Sequence, residues 1–161
     1  MSYFAAVLSR VAKNWRAVEV DLDDCESLDD IVETAREIPG DVRLLVVEQD
    51  DEYAVLARVD DTDDDPRVFL SDGHAADAYP LAAVVADELD EIGEDVLDGD
   101  EDAPPAHDSA PFGDASLVED LGVSAGELLD LCAREGTLPI DLIMVVCDRA
   151  GCADAFEAVR V

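Results

Sequence analysis

Lysine occurs once in this sequence, at Lys13, and the 161 residues carry only 10 basic side chains against 42 acidic ones. That scarcity argues against direct nucleic-acid binding, which begins with Lys and Arg neutralising phosphates. It argues equally against an anionic membrane surface. Long apolar runs are missing too. The longest, around Ile140 to Cys147, contains Asp141 and falls well short of the roughly 20 residues of a spanning helix. The start, Met1-Ser2-Tyr3-Phe4, reaches its first base only at Arg10, unlike a secretory signal. The expected location is cytoplasmic. Cys25, Cys132, Cys147 and Cys152 form no Cys-x-x-Cys pair, and His74 and His107 stand far from them. No zinc framework results, so neither a metal nor a cofactor is expected. In a reducing compartment these thiols stay free, and three of them fall in apolar helical settings suited to a small core residue.

What remains is acid. The formal charge is −32. Such a surface attracts a basic protein partner by long-range steering. It also serves plain solubility, and the single lysine with Asp in excess of Glu suits a salt-adapted proteome. Composition leaves these readings open.

The order of elements predicts an α+β fold: a small, mainly antiparallel sheet with helices on one face, followed by a C-terminal helical mini-domain. Tyr3 to Ser9 is apolar and strand-like, Ala12-Lys13-Asn14 turns, and Trp15 to Val20 alternates at period two. Ser27-Leu28-Asp29-Asp30 is a capping box, with Leu28, Ile31, Val32, Ala35 and Ile38 on one helical face and Pro39-Gly40 as the stop. Val42 to Glu48 is a nearly continuous apolar run, the mark of a strand buried on both faces. Asp50-Asp51 turns the chain into Tyr53 to Val59, and Arg67 to Leu70 is a last short strand. Pro80 opens a helix with Leu81, Val84, Val85, Leu89 and Ile92 as its stripe.

Residues 1–92 thus form the α+β domain. Residues 93–113, without a base and with one aromatic, read as an acidic flexible linker. Residues 114–161 are the helical unit, marginal alone and expected to dock on the first domain. In it, Ser124-Ala125-Gly126-Glu127 is a second capping box before Leu128, Leu131 and Cys132. Leu138-Pro139 then opens a helix with Ile140, Ile143, Met144 and Cys147 inward.

Catalytic patterns are weak. The run from Asp60 to Asp65 invites a calcium loop, but Pro66 stands where the turn requires Gly and Asp72 where a bidentate Glu belongs. A solvated hairpin loop is the simpler reading, with its charges blocking edge pairing. Asp98 to Asp102 fails the same test. Ser71-Asp72-Gly73-His74 holds nucleophile, acid and base in one turn, whereas triads draw on distant segments, and there is no Gly-x-Ser-x-Gly elbow. No phosphate-binding Gly-Lys loop exists. The C-terminal helices could imitate a helix-turn-helix, but ten acids against three arginines over residues 114–161 give −7, the wrong sign for a DNA reader.

The strings Tyr3-Phe4-Ala5-Ala6-Val7-Leu8, Glu19-Val20-Asp21-Leu22-Asp23-Asp24, Arg67-Val68-Phe69-Leu70-Ser71-Asp72 and Phe156-Glu157-Ala158-Val159 resemble the tRNA adenosine deaminase-associated proteins of actinobacteria. The resemblance covers most of the chain and implies no catalytic residues. The deaminase signature itself, His-x-Glu followed by Pro-Cys-x-x-Cys, is missing. A non-catalytic accessory or regulatory protein is therefore expected, with a basic protein as partner, the deaminase being the candidate that the resemblance supplies. Asp61, Asp63, Asp64 and Asp65, the densest acidic loop, are the expected contact residues. A divalent-metal enzyme built on carboxylates, or a stand-alone module unrelated to tRNA, are the rival readings.

Overall fold

The computed structural model describes residues 3–60, 66–72, 75, 78–86, 112–134 and 136–160. Its strands are β1 (Tyr3–Val11), β2 (Asn14–Glu19), β3 (Val42–Gln49), β4 (Tyr53–Asp60), β5 (Arg67–Leu70) and the short β6 (Phe112–Gly113). They form one antiparallel sheet in the order β2-β1-β3-β4-β5-β6. The helices are α1 (Leu28–Arg36), α2 (80–86), α3 (Ala125–Ala133), α4 (Pro139–Ala150) and α5 (Ala153–Arg160). A 3-10 turn, Glu119–Leu121, precedes α3 and ends at Gly122, whose left-handed φ of 118° lets the chain reverse without a Cβ penalty.

The expected α+β class is the one observed. Strand alternation sends Ala5, Val7, Leu45, Val47, Val55 and Ala57 to one face, where Leu28, Ile31, Val32 and Ala35 of α1 and Ala82, Val85 and Ala86 of α2 cover them. Ala6, Leu8, Leu44, Val46, Ala54, Leu56 and Phe69 point the other way, against Leu128, Leu142, Ile143, Val146 and Phe156. Every residue of β3 is buried, as the continuous apolar run requires. The C-terminal helices are thus the second layer on the sheet. The inward face of α4 differs from expectation: Leu142 and Val146 join Ile143 and Cys147 in the core, while Ile140 and Met144 are half-buried. Helix α4 is apolar nearly all round, so its periodicity alone did not settle which stripe packs.

Of the two expected capping boxes the serine halves form, while Asp30 takes the Glu26 N–H rather than that of Ser27. Ser27 Oγ accepts from the Asp30 N–H, and Ser124 Oγ from the Glu127 N–H. Ala12, Lys13, Asp50 and Asp51 all have positive φ, as two-residue hairpins require. Asp tolerates that region, whereas Ala and Lys have no local hydrogen bond to offset it. Ala12→Asn with Lys13→Gly should therefore stabilise the fold by about 1 kcal/mol. Urea denaturation checks this, and an unchanged midpoint would count against a strained turn.

β2 is a sheet edge. The Val20 N–H bonds Ala5 O, and the Asp41 N–H bonds Arg10 O on the opposite side of β1. Since main-chain groups alternate along an antiparallel strand, those of Trp15, Ala17 and Glu19 point away from the sheet.

Two arginines fasten the C-terminal segment to the sheet. Arg58, 4% exposed, donates through Nε to Asp60 (2.9 Å), through Nη1 to Leu117 O (2.8 Å) and Asp120 Oδ1, and through Nη2 to Asp120 Oδ2 (2.9 Å). Arg67 donates to Asp114 (2.7 Å) and to Ser116 Oγ (3.0 Å). Asp120 is held below its ordinary carboxyl value, chiefly by Arg58. At Asp114 burial pushes upward, but the hydrogen bonds from Arg67 and Ser116 outweigh it. A depressed carboxyl stabilises the fold above its unfolded value of about 3.9, and that contribution is lost as pH falls through the lower folded value. An Asp114→Asn/Asp120→Asn variant should show a flatter acid limb when circular dichroism is followed against pH. A limb as steep as the native protein's would rule out these two groups as its source.

Candidate partner-binding pocket

Residue 3 opens β1, and the chain leaving β2 passes beside it. Leu22 is buried in the core under α1, which fixes Asp21 and Asp23 on either side of the Tyr3 ring tip. The Tyr3 hydroxyl accepts from the Leu22 N–H at 2.7 Å and lies 3.2 Å from Asp21 Oδ1 and 3.0 Å from Asp23 Oδ1. Asp21 Oδ1 also accepts from the Asp23 N–H at 2.8 Å. Beside this knot is a cavity of about 290 Å³ lined by Tyr3, Leu22, Asp23, Cys25, Gln49, Pro80, Leu81 and Val84. Four parts of the chain build it: the start of β1, the end of β3, the connection after β2, and the N-terminal half of α2.

The field in the cavity is negative. Burial raises the Tyr3 hydroxyl, and Asp23 and Asp21 raise it further. Burial likewise raises the Cys25 thiol, with Asp30, Asp24 and Asp21 adding to it, so that thiol stays protonated and is a poor nucleophile. Behind the wall, Tyr53 donates to Gln49 Oε1 at 2.7 Å and packs on Tyr79 with ring centroids 5.3 Å apart. Burial raises the Tyr53 hydroxyl, helped by Tyr79, Asp50 and Glu48. Asp21 itself is held low, first by the Asp23 N–H. The arrangement offers carboxylate acceptors over apolar walls. It presents no activated nucleophile.

A smaller recess of about 150 Å³ lies where the β3–β4 turn meets α3 and α4, lined by Asp51, Glu52, Ser71, Asp72, Cys132 and Leu142 among others. Ser71 Oγ accepts from the Ala54 N–H at 2.8 Å and so serves the sheet edge. Burial, with Asp72 nearby, pushes the Cys132 thiol up to about 11. Cys147 and Cys152 are buried in the core of the C-terminal layer, where the hydrogen bond with the Cys152 sulfur, and then burial, push Cys147 up. All four cysteines are free.

Asp61, Asp63, Asp64 and Asp65 lie outside the described residues, as do His74, His107, Asp98 to Asp102 and nearly all of the segment expected as a linker. Asp60, at the edge of that acidic run, is turned to Arg58. Among the described residues, no three His, Cys, Asp or Glu side chains group as metal ligands, and no helix is long and apolar enough to cross a membrane. The Tyr3–Asp21–Asp23 knot was not singled out from the sequence. Its signal was the Asp-Leu-Asp alternation directly after a strand, which puts two carboxylates on one side of a buried Leu. Two of the strings behind the family resemblance, 3–8 and 19–24, meet at this knot.

Compared with curated proteins and with solved structures, the chain matches none. A family model matches residues 3–153, and the chain belongs to that family, the Rv3753c-like tRNA adenosine deaminase-associated proteins.

Proposed function

We propose that this protein is a non-catalytic accessory protein that binds a tRNA adenosine deaminase through its acidic surface and controls access of tRNA to that enzyme. The family name supplies the enzyme. The observation that carries the reading is that most of the few bases are engaged within the chain itself. Arg58 and Arg43 are buried, and Arg43 donates to Ile38 O. Arg67, Arg36, Arg134 and Arg149 each pair with a carboxylate of the same chain. With 42 acids to 10 bases, most acids have no base to offset them, and among the described residues most Asp and Glu are exposed. An enzyme that binds tRNA shows basic surface, and a strongly acidic protein competes for it with the phosphate backbone.

The test is association of the purified protein with the deaminase at low and at high salt, by biolayer interferometry. Tight binding at low salt that weakens steeply with salt is expected. No association at low salt would overturn the reading. Replacing Asp61, Asp63, Asp64 and Asp65 with Asn should slow the association rate and flatten its salt dependence. Fold stability should change by no more than about 0.5 kcal/mol per site. An unchanged association rate would place the contact on another face.

A further inference from the structure

The cavity beside Tyr3 differs from the diffuse acidity elsewhere in having both walls and a mouth. Leu22, Leu81 and Val84 make it apolar, and Asp23, with Asp21 behind it, makes one side anionic. The charged groups that bear on the Tyr3 and Cys25 side chains around it are all carboxylates: Asp21, Asp23, Asp24 and Asp30. We propose that this cavity is an anchor socket for an arginine side chain on the surface of a protein partner. The proposal deepens the accessory reading, in which that partner is the deaminase, but rests on chemistry that can be tested apart from it.

The fit follows from three features. An arginine stem is apolar and packs along Leu22, Leu81 and Val84 while its head stays at the mouth. The guanidinium is a planar fork of donors matched to carboxylate oxygens. The Tyr3 hydroxyl has one proton and faces two carboxylate oxygens at 3.0 and 3.2 Å, so at any moment one of them meets that hydroxyl without a hydrogen. Asp21 Oδ1 also takes the Asp23 N–H, so the guanidinium's donors go to Asp23, the carboxylate that lines the cavity. A wholly apolar anchor would strip water from Asp23 and return no hydrogen bond. A lysine brings a compact, strongly hydrated charge that leaves the cavity walls less well covered.

Asp23→Asn and Val84→Trp test the socket from its two sides, one removing charge and the other filling space. Asp154→Asn, exposed on α5 in the opposite layer, removes the same charge at a distance. Against the deaminase, each socket variant should weaken binding about tenfold or more, chiefly through faster dissociation. Asp154→Asn should change affinity by less than about twofold, through the association rate. Equal losses for Asp23→Asn and Asp154→Asn, or native affinity in Val84→Trp, would overturn the socket. A second arm needs no partner. Titrating the whole protein with N-acetyl-arginine amide should shift the amide resonances of Tyr3, Leu22, Cys25, Leu81 and Val84, and Val84→Trp should abolish those shifts. No shift, or the same shifts in Val84→Trp, would refute the proposal. Shifts without any deaminase complex would keep the socket and discard the deaminase as its partner.

Discussion

Arg58→Ala is expected to destabilise the fold by about 2–4 kcal/mol, far more than the loss of any one carboxylate that it binds. Arg58 is 4% exposed and donates to Leu117 O, at the point where the C-terminal segment meets the sheet. Truncation removes the buried stem, the bond to that carbonyl and the bidentate clasp on Asp120 together. Asp120→Asn should cost at most about 1 kcal/mol, because the Asp120 side chain is 63% exposed and solvent screens the pair. Arg58→Lys should recover little, since one ammonium cannot reach Asp60, Leu117 O and both Asp120 oxygens at once. Urea denaturation of the three variants decides it: similar midpoints for Arg58→Ala and Asp120→Asn would mean that the clasp is a surface ion pair like any other.

Leu44→Ala and Leu45→Ala should each destabilise by about 2–5 kcal/mol. These neighbours on β3 are both fully buried but face opposite layers: Leu45 meets the α1 and α2 side, Leu44 the C-terminal helices. Near-equal losses are the expected outcome if the C-terminal helices are a full layer of the fold. A Leu44→Ala cost below about 1 kcal/mol would be the value for a half-exposed site and would contradict that layer. Calorimetry adds a second reading, for a single transition in both variants is what one shared sheet produces.

Much of this architecture was legible because local rules and burial agree. The two hairpins, the Ser27 and Ser124 caps, and the two-sided burial of β3 each follow from a few adjacent residues. The same holds for the stripe Leu28, Ile31, Val32 and Ala35. What was hidden depends on distance along the chain. Arg58 finds Asp120, and Arg67 finds Asp114, across a sequence separation that no periodicity reports. The pocket escaped notice for a related reason. Tyr3 reads as one more strand residue and Asp21 to Asp24 as a solvated connection. Only the antiparallel return of β2 beside β1 brings the hydroxyl and the two carboxylates together. The loop of Asp61, Asp63, Asp64 and Asp65 stands out in the sequence by charge density alone, and density says nothing about which carboxylates stand over an apolar wall.

The outward-pointing main chain of Trp15, Ala17 and Glu19 gives the sheet an end that another strand could extend. The local guards of this end are few: β2 holds no proline, Arg16 and Glu19 are its exposed charges, and Val18 between them is 38% exposed. What keeps two such ends apart is the mutual repulsion of molecules that each carry −32. That protection is collective and can be switched off by protons. Near the sequence isoelectric point of about 4.1 the repulsion vanishes, and association through the edge of β2 is the expected result. Acidity in this chain therefore acts as a colloidal safeguard, and a purification step near pH 4.1 is where it would fail first.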